Sequence, residues 1–231
     1  MARTRTLTNL TSDVRVRADM VGSSFPQDPE IQEWLNQGWA ELYDLLIASG
    51  EKYYLTTALG NTSNGVEEYA VPADHYKTLG ISVQVSGGRP RPAHRFQFER
   101  RDDYDPNGWN WPNRVYYDLW GGNIHFMPVP SGVYPYKHYY YPAPVRLVNG
   151  TDFWDGVAGW EQYAIDWAAK KVAARDDNYE LVAVIAGDMT EMKARVKTMA
   201  DNRIPGEAKR VRVVRGRIDP LRILQVPRWR A

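Results

Sequence analysis

The apolar period of this chain changes twice along its length. From Asp28 to about Gly50 the apolar residues Ile31, Trp34, Leu35, Gly38, Trp39, Leu42, Leu45 and Leu46 recur at three- and four-residue spacing. From Lys52 to about Tyr141 the period falls toward two, and beyond Val157 it returns to the helical value. A helix with one apolar stripe must bury that stripe against another element. Helices at the two ends of the chain must therefore pack on each other, and the β segment between them is an insertion. The expected fold class is α+β: a small helical bundle interrupted by an antiparallel β insertion domain, with an extended C-terminal arm. The expected divisions are residues 1–50 (N-terminal helices), 51–148 (β insertion), 149–205 (bundle helices) and 206–231 (arm).

Local signals fill in this outline. Residues 8–20 predict a short helix with Leu10, Val14, Val16 and Met20 on one side, broken by the Gly22–Pro26 stretch. Asp28 suits an N-cap and Pro29 the first helical position, and Gly50 suits a C-terminal stop. Strands are expected over 53–57, 68–71, 79–85, 95–98, 115–120, 124–127 and 134–141, with a helical turn over Pro72–Lys77. Gly121 to Leu147 reads as two alternating runs about a Pro/Ser/Gly turn, hence a hairpin, with Tyr139–Pro144 as the hinge back to the bundle. Helix resumes after Thr151 or Asp152, with Val157, Trp160, Ala164, Trp167, Ala168 and Val172 on one face. A last helix spans about Asn178 to Asn202 with Leu181, Ile185, Met189, Met192, Val196 and Met199 in register.

Composition narrows the function classes. A formal charge of +1 over 231 residues gives no global drive toward nucleic acid or membrane. With no cysteine, disulfides and thiolate metal sites are excluded. No apolar run follows the basic N-terminal residues, as a signal peptide would need, and no stretch approaches the roughly 20 apolar residues of a membrane span. The expectation is a soluble chain used without export. The 9 Trp and 15 Tyr residues offer large contact area with a polar handle, which suits interfaces.

Groups suited to chemistry are scarce. His75, His94, His125 and His138 have no partner at metal-ligand helical spacing; a hairpin could set His125 and His138 facing each other, but a strand pair alone supplies too few ligands for zinc, and the favoured reading is of half-exposed strand residues. Asp102, Asp103 and Asp105 form a carboxylate cluster of the kind that could serve hydrolysis or calcium binding, and their Pro/Asn/Gly surroundings favour a solvated loop. Gly87-Gly88 and Gly121-Gly122 precede strands, so neither can cradle a phosphate at a helix N-terminus. Trp109 and Trp111, on a long loop, with Tyr116 and Tyr117, suit interface anchors better than sugar or base stacking. No cofactor is implied. In the tail, eight basic residues face only Glu207 and Asp219, interleaved with valine, isoleucine and leucine. That is too apolar for a solvated tail and too short to fold alone. Strand addition or groove insertion into a protein neighbour suits it better than phosphate contact.

The ordered segments resemble the head–tail adaptor (connector) proteins of tailed bacteriophages. The resemblance is carried by the Leu7-Thr8 to Asp13-Val14-Arg15 helix with Ala18-Asp19-Met20, by Trp39–Leu46, by Tyr69–Gly80, by Gly121–Pro128, by Tyr139–Pro144 and by the helix over Gly156–Ala174. It covers residues 8–203. It implies a non-catalytic virion protein at the neck, present in host cytoplasm during assembly. It further implies a ring, commonly of twelve copies, between the portal protein and the tail, tail-tube or nozzle protein. Such a ring extends the DNA channel, lets the genome pass without sequence recognition, and has no membrane partner. On that reading the arm contacts the portal through Arg212, Val213, Arg215, Arg217, Leu221, Ile223, Leu224, Val226 and Trp229. Trp109, Trp111 and Tyr116 contact the tail or a neighbouring copy. A carbohydrate- or DNA-binding accessory module is the alternative from the residues alone.

Overall fold

The computed structural model describes residues 5–50, 52–84, 88–99, 115–154 and 159–202. Among them the elements run α1 (Leu7–Arg17), α2 (Asp28–Ala48), β1 (Thr56–Asn61), β2 (Glu68–Ala70), β3 (His75–Val83), β4 (Arg91–Pro92), β5 (His94–Arg95), β6 (Tyr116–Trp120), β7 (Asn123–Met127), β8 (Pro135–Pro142), α3 (Glu161–Arg175) and α4 (Tyr179–Asn202). The arm proposed from sequence, the Asp102–Asp105 cluster and the Trp109/Trp111 loop lie outside the described residues.

The four helices form one bundle, and α3 is its axis. Nine of its fifteen residues are buried, on every side of the helix, so it must be surrounded by neighbours. Alanines at 164, 168, 169 and 173 keep it slender. Against it α1 packs Leu7, Leu10 and Val14; α2 packs Ile31, Leu35, Leu42 and Leu46; α4 packs Ile185, Met189 and Val196. The closest approach is at Gly38, where a Cβ would lie 2.8 Å from Trp167 Cβ and 3.1 Å from Ala164 Cα. Buried Asp166 accepts from Arg17 Nε at 2.9 Å, and Asp188 pairs with the same guanidinium, tying α1 to α3 and α4. The return connector also grips the start of the chain: Leu7 N–H donates to the Asp152 carbonyl and Trp154 N–H to that of Arg5, both at 2.9 Å.

The helices depart from expectation at their ends. Asp28 is the first helical residue rather than the N-cap, because its carboxylate is taken by Arg15 at 2.7 Å; Gln27 occupies the cap without a side-chain bond. Val16 is 63 % exposed, not part of the buried side of α1. The third helix starts at Glu161, since residues 152–154 are extended against the N-terminus.

The strands form two four-stranded sheets, ordered β1-β8-β3-β4 and β2-β7-β6-β5. All pairings are antiparallel except β5 with β6. The sheets pack face to face around Ile81, Val83 and Tyr136 from the first and Tyr117, Ile124 and Phe126 from the second. Phe126 meets Tyr136 edge-on with centroids 5.5 Å apart.

The expected hairpin of Gly121–Leu147 is not formed. β7 belongs to one sheet and β8 to the other, so residues 128–134 are a crossover between layers. The actual hairpin is β6–β7, closed by Gly121 and Gly122 at φ +60° and +79°, with Trp120 opposite Asn123. This is the positive-φ pair that a two-residue turn matching strand twist requires. His125 and His138 consequently sit on different sheets. Pro72–Lys77 is a two-residue turn followed by strand from His75, and the first strand begins at Thr56 rather than Tyr53.

Candidate interaction surfaces

Bundle and sandwich meet along a seam built mostly from tyrosine. The aromatic run Tyr53-Tyr54 folds back onto α2: Tyr54 lies 5.8 Å from the Trp39 centroid and 4.9 Å from that of Tyr43. Tyr43 is buried, and its hydroxyl donates to the Pro142 carbonyl at the end of β8. From the sheet side, Tyr76 reaches back to donate to the Asp44 carboxylate and meets the Tyr43 ring edge-on at 6.0 Å. That bond to a carboxylate, with some burial, raises the Tyr76 hydroxyl above its ordinary pKa. Tyr141 is buried in the bundle core itself. The expected hinge over Tyr139–Pro144 is therefore a fastened joint, because both its side chains and its backbone are engaged.

Next to the joint lies a polar chain inside the first sheet. Thr78 Oγ1 is 2.8 Å from His75 Nε2 and 2.8 Å from His138 Nε2. Tyr140 stacks on His138 at 5.1 Å and donates to Asp74 at 2.9 Å. Burial, with a smaller effect from His75, pushes His138 down to about 4. In the bundle, Tyr163 and Lys193 share Glu41, with bonds of 2.9 and 2.8 Å. Burial first, then that bond, pushes Tyr163 up to about 12. These shifts arise from packing and from bonds between elements. Among the described residues no group of three or more histidine, aspartate or glutamate side chains is placed to hold a metal ion. None of their helices is long and apolar enough to cross a membrane.

The second sheet carries a different group on its outer side. His125 is buried beneath Trp120, with rings 3.4 Å apart and nearly parallel. Glu67 and Glu68 each place an oxygen 3.8 Å from its Nδ1. Asp118, opposite His125 in the ladder, is buried and accepts from Arg95 at 2.9 Å. Tyr116, expected as a contact residue, is half-buried on β6 with its ring 6.0 Å from His94. The other expected contact residues, Trp109, Trp111 and the nine of the arm, are outside the described set. Tyr140 falls within the expected hinge, but the bonding roles of Asp44, Asp74 and Tyr76 are not legible in the sequence, because each sits in a segment whose period reports only burial. Tyr43 was findable: it lies four residues from both Trp39 and Ile47, which widens the buried face of α2.

A family model described as SU10 adaptor protein matches residues 5–217. No curated protein matches the chain. The matched span runs from the strand-like start beside Trp154, through bundle and sandwich, past the end of α4. The chain belongs to the SU10 adaptor protein family and is a phage head–tail adaptor.

Proposed function

We propose that this adaptor is a structural virion protein that forms a ring between portal and tail, continues the DNA channel and provides the surface on which the tail is mounted. The observation that carries this reading is the family match across both the bundle and the sandwich. The role is mechanical rather than catalytic. Twelve copies would match the symmetry that the resemblance implies, and genomic DNA would pass by contacts to phosphate without sequence readout. Electron microscopy of the protein with and without its portal tests the ring: a stacked ring on the portal axis is expected, and its absence from saturated complexes counts against the reading.

Within that arrangement residues 206–231 contact the portal. Val213, Leu221, Ile223, Leu224, Val226 and Trp229 anchor in grooves, while Arg212, Arg215 and Arg217 pair with carboxylates. Ending the chain at Pro205 is expected to abolish portal binding while leaving the bundle folded; unchanged binding would remove the arm from the interface. The β-rich segment 51–148 projects toward the tail or a neighbouring copy and engages it through Trp109, Trp111 and Tyr116. Changing both tryptophans to alanine is expected to reduce tail attachment in a complementation assay, and full attachment would sink that assignment.

A further inference from the structure

The first sheet carries a groove on its outer face. Ile81, Val83 and Tyr136 point toward the second sheet, so the alternate residues of the same strands point away from it. Register sets Leu59 of β1 beside Lys137 of β8, and Lys137 beside Ser82 of β3, in one row on that outer face. Asn61 and Gln84 stand two residues further along on the same side. With Pro90 these residues line a groove of about 350 Å³, a size suited to a small ligand or a chain end. Leu59 is 77 % exposed.

The lining selects an anion with an apolar group close to it. Lys137 is the one charged lining residue, and it makes no ion pair with a described residue. Pro90 stands between Arg89 and Arg91 in sequence, and the four strands of this sheet hold no aspartate or glutamate. An ammonium so placed favours a carboxylate, with the side-chain amides of Asn61 and Gln84 as further donors. The spacing is restrictive. Directly opposed residues of an antiparallel pair have Cβ atoms about 5 Å apart, so the occupant must offer its carboxylate and its apolar group on one side at about that separation. Along an extended strand, adjacent side chains leave on opposite faces, and those sharing a face are about 7 Å apart. The last residue of a chain meets the condition more closely, because its α-carboxylate and its side chain leave the same Cα.

We propose that this groove captures the C-terminal residue of another protein chain, one whose last side chain is apolar. The α-carboxylate meets the Lys137 ammonium, and the side chain packs on Leu59 and Pro90. The occupant lies across the outer face of the sheet and needs no pairing with the edge of β1. The groove is distinct from the arm and from Trp109, Trp111 and Tyr116. Peptide capture and ring stacking are read in separate experiments, so either can fail without the other.

The test uses the full chain and a fluorescently labelled tetrapeptide, Gly-Gly-Val-Leu, with a free carboxylate. Three peptides serve as comparisons: its C-terminal amide, the free acid Gly-Gly-Val-Ser, and an amidated Gly-Leu-Gly-Glu-Gly that carries its carboxylate on an internal side chain. Gly-Gly-Val-Leu is expected to bind roughly ten-fold more tightly than its amide, and by a similar factor more tightly than the serine-ended peptide. Lys137→Gln, at an exposed site, is expected to erase the difference between acid and amide. Leu59→Ser, also exposed, should bring the leucine-ended peptide down to the affinity of the serine-ended one. Lys77→Gln, on the same sheet outside the groove, should change neither. No binding of the free acid, equal binding of its amide, an undiminished preference in Lys137→Gln, the same loss in Lys77→Gln, unchanged affinity in Leu59→Ser, or equal binding of the internal-glutamate peptide would each overturn the proposal.

Discussion

Thr78 has one hydroxyl proton and two histidine nitrogens within 2.8 Å of its oxygen, so it must donate to one ring and accept from the other. His138 Nδ1 is buried and has no hydrogen-bond partner among the described residues. A bare acceptor in that position costs less than an orphaned N–H. His138 therefore carries its proton on Nε2 and donates to Thr78, which donates to His75 Nε2. Neutral rings are required throughout, and the depression of His138 from 6.5 to about 4 expresses that requirement as a pH dependence. Between those values the unfolded chain binds a proton that the folded chain refuses, so stability falls as pH falls through that window, by about 3 kcal/mol in all. Burial lowers His75 as well, offset in part by Asp74, and adds to the same trend. His138→Leu is expected to cost about 1 kcal/mol at neutral pH through the lost bond. It should also flatten the decline between pH 6.5 and 4, as read from urea unfolding at a series of pH values. Equal slopes in the two proteins would contradict this account. None of this was legible in the sequence, where histidines on two strands could only be set facing each other across an assumed turn.

Helix positions are better read from sequence than sheet partners, and the reason is geometric. The stripe on α2 names the side that must be covered, and all but its flanking members are buried in the bundle core. The sheet period instead says only that alternate residues face inward, and both β7 and β8 satisfy it whether they pair with each other or lie in opposite layers. Pro128, Pro130 and Gly132 looked like a tight turn, yet the same residues also suit a crossover. Two glycines separate packing from propensity at this scale. Gly38→Ala is expected to destabilise the protein by about 1–3 kcal/mol, because the new methyl would press on Trp167 Cβ and the α3 backbone. Gly187→Ala, in α4 with open space around it, is expected to stabilise by about 0.5–1 kcal/mol. Thermal or urea melts of both should move in opposite directions, and a shared sign would mean that the α2–α3 contact is looser than its geometry.

At the scale of the whole molecule the described residues form two apolar cores, one among the helices and one between the sheets. The seam couples them through the Tyr43–Pro142 and Tyr76–Asp44 bonds. Removing both hydroxyls, in Tyr43→Phe with Tyr76→Phe, is expected to cost about 1 kcal/mol per bond and to split a single calorimetric transition into two; one undivided transition would place the coupling elsewhere. The sequence order alone implied that the end helices meet, and Arg17 with Asp166 and Asp188 shows how far apart in sequence that meeting is. The strand order has a temporal meaning too. Among the described residues β8 is the last strand synthesised, yet it lies between β1 and β3 at the middle of its sheet. α3, made later still, is the axis on which α1, α2 and α4 assemble. A growing chain thus has neither a finished sheet nor a finished bundle until most of it has left the ribosome. Folding must proceed through contacts of long sequence separation, which are slow to close, so the surfaces presented to other virion proteins come into being nearly together and late.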